Sequence, residues 1–226
     1  MEHEAFTWFG AIGAPEKIAT AGLIAAILVA FATAVRPKLA AAGTVDPEDG
    51  VTTRNIAEVF VEAISGLAEG VIGHGAETYV PLLASFFAFI LLSNLIGLVP
   101  GFSPPTADFN ITFALGVVSF AAYHFYGARE HGATYVKQFL GPVVFLMPLM
   151  LVVEVFSNLF RPVSLGIRLF ANMFADHQVV EIFTGLTKLG VPVVFYVLGA
   201  FVAVVQAFVF TMLSAIYIAL AISHEH

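Results

Sequence analysis

Six polar side chains recur at helical spacing within a stretch of sequence that is otherwise strongly apolar. Between positions 138 and 188, intervals of 4, 3, 7, 4 and 4 residues separate Glu154, Asn158, Arg161, Arg168, Asn172 and Asp176. At about 100° per residue, all six fall on one face of a helix. The positions around them are filled mainly by Leu, Phe, Val, Ile and Met. Charged groups in such a segment are costly, and by default they mark a functional path.

Arg168 carries a charge that no physiological pH removes. It cannot relay protons, but it can hold a carboxylate ionised or block the passage of protons past itself. An internal ion pair is not easily made, because a straight helix places Glu154 about 21 Å away and Asp176 about 12 Å away along its axis. Glu154, Asp176 and His177 do titrate, so these groups can carry protons.

The composition indicates which elements hold these residues. The chain has 226 residues, of which 59% are hydrophobic and 11% charged, whereas a soluble domain carries about 25% charged residues. We therefore predict an all-α polytopic membrane protein. The lack of cysteine excludes disulfides and thiolate metal sites, and no metal-binding spacing or Gly-rich nucleotide loop indicates a cofactor. The net charge of −7 argues against a nucleic-acid partner.

Apolar runs predict five membrane crossings within one domain over residues 1–226. The predicted spans are 18–35, 79–99, 109–126, 138–188 and 193–222, after an external N-terminus at 1–17. The first span is interpreted as retained, because acidic residues precede it and it is long for a signal peptide. A helix over 138–188 would be about 75 Å long, against a hydrocarbon core of about 30 Å. It must therefore tilt and kink, or fold into two spans at Arg161-Pro162.

Residues 36–54 are predicted to be a cytoplasmic loop, which begins where Arg36-Pro37-Lys38 ends the first span. Residues 55–72 follow as an amphipathic surface helix. Its expected apolar face comprises Ile56, Val59, Phe60, Ala63, Ile64, Leu67 and Val71. Glu58, Glu62 and Glu69 lie on the other face. An acidic helix gains nothing from anionic lipid, so docking on protein or on its own bundle is as good an alternative as docking on lipid.

Basic residues are distributed unequally between the two sides of the predicted membrane. Lys17 alone is on the side of the N-terminus in the first part of the chain. The opposite side carries Arg36, Lys38, Arg54, Arg129 and Lys137. By the positive-inside rule, the rich side is cytoplasmic and the N-terminus is outside. Five crossings then put the C-terminus in the cytoplasm.

The stretch PVSLGIRLFANM at 162–173 resembles the signature of subunit a of F-type ATP synthases, the membrane stator that faces the rotating c-ring. NLIGLVP at 94–100 and QAFVF at 206–210 support the resemblance, which covers nearly the whole chain. It implies that Arg168 is the essential stator arginine and that Gln206 is the glutamine opposite it on the last helix. Asn172 then belongs to the channel from the external side, and Glu154 to the path towards the cytoplasm.

Further residues are assigned to the proton path from the resemblance and from the polar face of the last helix. They are Ser157, Ser164, Asp176, His177 and Tyr217. The chain also departs from the family pattern in three places. Ala171 and Asp176 stand where glycine is expected, and Gly199 stands where some members carry a titratable partner of the residue at 177.

The resemblance implies two laterally offset half-channels, with protons riding on c-ring carboxylates from one to the other. The implied partners are the c-ring, subunit b of the peripheral stalk, the lipid bilayer and the translocated H⁺, and no ATP chemistry occurs on this chain. The implied location is a bacterial inner membrane. Two alternatives remain open: a secondary ion-coupled transporter, which predicts internal repeats that we do not find, and a membrane scaffold, which needs neither Arg168 nor the polar face.

Overall fold

The computed structural model describes residues 8–10, 15–41, 52–99, 101–132, 135, 147–187 and 190–223. These ranges contain six α-helices and no β-strand. The helices are α1 (Glu16–Ala41), α2 (Thr53–Ile72), α3 (Val80–Leu95), α4 (Phe109–His131), α5 (Met147–Leu186) and α6 (Val191–Ile222). The prediction of an all-α protein is confirmed.

Five stretches are long and apolar enough to cross a membrane. They are Glu16–Pro37, Val80–Leu98, Phe109–His131, Pro148–Leu186 and Pro192–Ile222. Each of them belongs to a different helix. Among the described helices, α2 is the one that is too polar to span. The chain is therefore a multi-pass membrane protein, as predicted.

The helix that carries Arg168 runs without a turn through Arg161-Pro162. α5 has 40 residues and is about 60 Å long, about twice the thickness of the hydrocarbon core. The chain thus crosses once here rather than twice. Pro162 has no N–H, so the helix loses only the bond to the carbonyl of Asn158. The first part of the predicted helix, 138–146, lies outside the described residues.

Two glycines allow α4 and α5 to approach each other closely beside this proline. A Cβ atom placed on Gly116 of α4 would collide with the carbonyl oxygen of Pro162. A Cβ atom on Gly166 of α5 would lie 3.0 Å from the Cα atom of Phe113. Both contacts are with backbone atoms, which cannot rotate away. The crossing of these helices therefore depends on the lack of a side chain at both positions.

The core that supports the site joins α3, α5 and α6. Its buried members are Phe86, Ile90, Leu165, Leu169, Met173, Ala207 and Phe210. The α5 residues of this cluster recur every fourth position, which fixes one face of α5 towards α3 and α6. Arg168 lies next to that face but is not part of it.

The end of α1 differs from the prediction. The helix continues through Arg36 and Pro37 to Ala41. The φ angle of proline is compatible with a helix, and near a helix end its ring removes only one hydrogen bond. The end of an apolar run marks where lipid ends, and the helix itself can extend further.

The surface helix docks on its own bundle, where it contacts α3 and α6. Its buried residues are Arg54, Ala57, Ile64 and Ala68. Ile56 and Val59 of the predicted apolar face are not buried in the bundle and are 52% and 65% exposed. The contact centres on small alanines that permit close approach, and Arg54 is buried because its Nε donates to Glu58 Oε1 at 2.6 Å. The spacing of apolar residues alone could not predict the contact through alanines or the burial of Arg54.

Candidate functional site

Arg168 lies on the outer surface of the bundle near the middle of α5. Its neighbours Leu165 and Leu169 are only 3% and 1% exposed, whereas the Arg168 side chain is exposed. Among the residues that the structure describes, no side chain forms an ion pair or hydrogen bond with Arg168. A fixed charge in an apolar span requires a polar partner or water, so Arg168 needs water or a partner other than the described residues.

Small side chains surround Arg168 on the same exposed face of α5. They are Ser157, Ser164, Ala171 and Ala175, all of them exposed. Helical spacing puts these four within about 40° of one another, with Arg168 about 20° to one side of them. The larger Phe160 and Phe174 are 61% and 46% exposed. The face is a shallow strip along which another helix can pass close to the guanidinium group.

The first polar cluster lies towards the start of α5 and is called the Glu154 cluster. It comprises Glu154, Asn158, Arg161, Tyr123 of α4 and Tyr217 of α6. The Nδ2 atom of Asn158 donates to Glu154 Oε1 at 2.9 Å and to the Glu154 carbonyl oxygen at 2.9 Å. The hydroxyl of Tyr123 donates to Asn158 Oδ1 at 3.0 Å. The cluster thus links α4 to the carboxylate through one amide.

Arg161 lies between two aromatic rings of the same cluster. Its Cζ atom is 5.7 Å from the ring centroid of Tyr123 and 5.1 Å from that of Tyr217. Cation–π contacts of this kind contribute about 0.5–2 kcal/mol each. Nearby, the hydroxyl groups of Ser119 and Ser214 are 2.8 Å apart and buried, which joins α4 to α6. Near the Glu154 cluster, the polar side chains of α6 therefore make their contacts inside the bundle.

Tyr135 lies beside the Glu154 cluster, outside the membrane-spanning helices. Burial raises the pKa of its phenol, the charge of Glu154 adds to this effect and the charge of Arg161 opposes it. The phenol consequently stays protonated at physiological pH. Its ring meets that of His124 edge-on, with the centroids 5.9 Å apart.

The second polar cluster lies towards the end of α5 and is called the Asp176 cluster. Asp176 and His177 line a small cavity together with Asn94 of α3. A Cβ atom on Gly199 of α6 would lie 2.6 Å from Asp176 Oδ2. The carboxyl group therefore occupies the space that a side chain at 199 would fill. The departures noted at 176 and 199 fit each other sterically.

A buried hydrogen-bonded chain holds the walls of this cavity. Asn94 Nδ2 donates to the carbonyl oxygen of Ala203 at 3.2 Å, and Thr106 Oγ1 donates to Asn94 Oδ1 at 2.7 Å. Asn94 is 4% exposed and Thr106 is fully buried. The amide thus connects α3, α6 and the turn before α4. Two residues after Thr106, Asp108 Oδ2 lies 3.8 Å from Lys17 Nζ of α1.

The sequence matches a family model, described as "ATP synthase A chain", over residues 18–219. The chain belongs to this family. A relative named "ATP synthase subunit a" from Bdellovibrio bacteriovorus is 46% identical over 211 residues, which is 92% of this chain and 92% of the relative. "ATP synthase subunit a 1" of Syntrophotalea carbinolica is 44% identical over 173 residues, covering 76% of this chain and 74% of the relative.

Membership of the ATP synthase A chain family shows the coarse function. The chain is a subunit of the membrane sector of an ATP synthase, and it takes part in proton transport and ATP synthesis. The predicted family is confirmed.

The fold brings some of the predicted site residues together and keeps others apart. Asp176 and His177 share one cavity, Tyr217 meets Arg161, and Arg168 shares its face with Ser157 and Ser164. Neither Glu154 nor Asp176 contacts Arg168 within the described part of the chain. The roles of all these residues stay predictions.

Sequence reasoning did not propose Tyr123, Asn94 or Thr106 as site residues. Asn158 and Arg161 were placed on the polar face of α5 without a role of their own. Their position on that face was the available signal. For Tyr123 the sequence gives no signal, because its partner lies on another helix.

Asn172 and Gln206 are predicted to approach each other across α5 and α6. Both are half-buried, and their neighbours Met173 and Ala207 pack in the same buried cluster. Cysteines at positions 172 and 206 should therefore form a disulfide in membranes on oxidation. The matched control is a cysteine pair at 172 and 197, because Val197 is 66% exposed. Failure of the first pair to react, with other α5–α6 pairs reacting readily, would contradict this packing.

Proposed function

We propose that this chain is the stator that forms two offset proton half-channels against the c-ring, and that Arg168 separates them. The observation that carries the proposal is the position of Arg168. It is a permanent charge, exposed on the outer face of α5, with a titratable cluster towards each end of the same helix. An internal structural ion pair would be expected to bury the guanidinium group against a carboxylate of this chain.

The two clusters supply the ends of the path. Along the axis of α5, Asp176 lies about 12 Å from Arg168 on one side and Glu154 about 21 Å away on the other. Protons enter through the Asp176 cluster, with His177 and Asn172, and pass to a carboxylate on the ring. After the ring turns, they leave past Ser164 and Ser157 to Glu154. Gln206 and Tyr217 belong to the α6 wall of this path.

The electrostatics suit a separator that attracts ring carboxylates without trapping them. A guanidinium–carboxylate pair at about 4 Å contributes about 4 kcal/mol at an effective dielectric constant of about 20. A charge that crosses 100 mV gains about 2.3 kcal/mol. Arg168 can therefore favour loss of the proton from an approaching carboxyl group, and the membrane potential and the next proton can break the pair. The guanidinium group itself stays charged throughout.

The proposal assigns the partners by chemistry. The c-ring supplies a carboxylate that faces Arg168, subunit b of the peripheral stalk resists the torque, and lipid covers the remaining apolar faces. The translocated ion is H⁺. ATP is made elsewhere in the complex, because this chain supplies a proton path and no catalytic site. The location proposed is a bacterial inner membrane.

The proposed orientation puts the N-terminus outside and the C-terminus in the cytoplasm, so that the Asp176 cluster opens outwards. Single cysteines at Asp46, Arg129 and Glu225 distinguish the two sides. We expect each of them to react with an impermeant maleimide only from the cytoplasmic side. Labelling at position 225 alone from outside would contradict five crossings. Labelling at all three positions from outside would mean that the protein has the opposite orientation in the membrane.

Gentle purification tests the assembly itself. The chain, extracted in a mild detergent, should bring with it a ring of small hairpin subunits and a peripheral stalk, and the reconstituted complex should make ATP from a proton gradient. A secondary transporter would purify without a ring and move a solute. A scaffold would purify with partners but would retain full function when Arg168 is replaced.

A further inference from the structure

The Glu154 carboxylate is held by Asn158 of the same helix, and Asn158 is in turn held by Tyr123 of α4. Asn158 is 6% exposed and Tyr123 is 1% exposed, so both polar side chains are buried where the path should lead to the cytoplasm. An ionisable residue in a membrane span marks a functional site by default, so the groups that hold Glu154 are candidates for a role in the path.

The orientation of the Asn158 amide follows from its partners. The Glu154 carbonyl and carboxylate oxygens accept hydrogen bonds, and both lie 2.9 Å from Asn158 Nδ2. Only the NH₂ end of an amide donates, so the nitrogen must face Glu154. The oxygen of the amide then faces Tyr123, whose hydroxyl donates to it at 3.0 Å. The chain of donors therefore runs in one direction, from Tyr123 through Asn158 to Glu154.

This direction makes the two carboxylate oxygens of Glu154 unequal. Oε1 accepts a hydrogen bond from Asn158, which stabilises negative charge on Oε1 and makes Oε2 the more basic oxygen. Tyr123 is itself fixed, because its ring lies against Arg161, which also contacts Tyr217. The ring contacts therefore fix the position of the Tyr123 hydroxyl, and the hydroxyl fixes the orientation of the Asn158 amide. The amide in turn fixes the orientation of the Glu154 carboxylate.

We propose that Tyr123 and Asn158 are positioning residues, which hold Glu154 so that Oε2 accepts the outgoing proton, and that Arg161 anchors Tyr123 in this arrangement. The inference rests on the proposed function, because it assigns Glu154 to the proton path. Glu154 accepts a proton at Oε2 and later releases it to water on the cytoplasmic side. Tyr123, Asn158 and Arg161 neither gain nor lose a proton in this cycle.

Replacing Tyr123 with Phe tests the proposal with little structural change. Tyr123→Phe removes the hydroxyl and keeps the ring against Arg161. Tyr126→Phe is the matched control, because it removes the same atom three residues further along α4, where the ring packs edge-on against Tyr79 at 4.7 Å. Passive proton flux is measured in vesicles stripped of the catalytic sector, with subunit and ring content measured separately. We expect Tyr123→Phe to slow the flux about tenfold, the upper end of the scale of one hydrogen bond between neutral groups, and Tyr126→Phe to leave it unchanged.

Asn158→Leu supplies a readout that a merely structural role would not move. The infrared carboxyl band of Glu154 is identified as the band lost in Glu154→Gln. It should shift in Asn158→Leu and in Tyr123→Phe, and it should stay in place in Tyr126→Phe. Because this band can be read in protein that conducts no protons, a slow variant still gives an answer.

Two results would overturn the proposal. One is a Glu154 band that does not move in Asn158→Leu, and the other is equal flux in Tyr123→Phe and Tyr126→Phe. A different result would reject the stator function itself. Normal ATP synthesis in Arg168→Ala would reject the proton path as a whole. Normal flux in Tyr123→Phe, alongside a defective Arg168→Ala, rejects the positioning residues alone.

Discussion

Arg168→Ala is expected to abolish proton-driven ATP synthesis while the protein remains assembled. The guanidinium group is exposed, and within the described residues it has no protein partner whose loss would destabilise the fold. Loss of the guanidinium group removes an attraction of about 4 kcal/mol for a ring carboxylate. In a rate that depends on this attraction, that corresponds to roughly a 1,000-fold change. Passive proton flux should rise, because nothing then separates the half-channels. ATP synthesis and passive flux are measured in inverted vesicles, with assembly checked by subunit content.

The accompanying variants separate the charge of Arg168 from its geometry. Arg168→Lys keeps a cation but loses the planar fork and gains a titratable head, so we expect it to fail in synthesis as well. Arg129→Ala is the matched control, because Arg129 is an exposed residue in the last turn of α4. Arg129→Ala should synthesise ATP at the normal rate. Near-normal synthesis in Arg168→Ala would contradict the mechanism.

Gly116→Val is expected to destabilise the folded bundle. A Cβ atom at this position meets the backbone carbonyl of Pro162, and neither helix can relieve the collision by rotating a side chain. Overpacking of this kind destabilises by about 1–3 kcal/mol for a small group, and the branched valine adds two further methyl groups. The yield of folded protein and the Tm in detergent should both fall. Gly116→Ala should give an intermediate loss.

Gly22→Val is the control for this change. Gly22 lies in α1, also a membrane span, and a Cβ atom there has no neighbour within 4 Å. Its replacement should leave the yield and the Tm of the protein unchanged. A stable Gly116→Val protein would mean that α4 and α5 do not cross at this point.

The number of helices and the position of Arg168 followed from the sequence because both depend on local composition. A span reads as a run of apolar residues, and a charge within such a run is visible whatever it contacts. The helix through Pro162 was one of two alternatives. The length of the segment alone allowed a turn at Arg161-Pro162. How the segment packs depends on the close approach of Gly116, on another helix, to Pro162.

The surroundings of the charges could not be derived in the same way. Tyr123 lies 35 residues from Asn158 in the chain, and no spacing rule connects the two. Which residues of α2 are buried in the bundle depends on the shape of α3 and α6, so Val59 belongs to the apolar face and is still 65% exposed. Asp176 was recognised as a departure from the family pattern. Only packing showed that its carboxyl group uses the space left by Gly199.

The central claim is that the exposed face of α5 around Arg168 meets the c-ring, and a crosslink tests it most directly. Ala171 lies on that face, whereas Leu169 is 1% exposed and packs inside the bundle. A cysteine is placed on the ring helix beside its carboxylate, and a second cysteine replaces either residue in the assembled complex. Ala171→Cys should form a disulfide with the ring and stop rotation until the disulfide is reduced, and Leu169→Cys should not react. Assembled complexes in which Ala171→Cys fails to react, while a cysteine at exposed Ile27 of α1 does, would contradict the account.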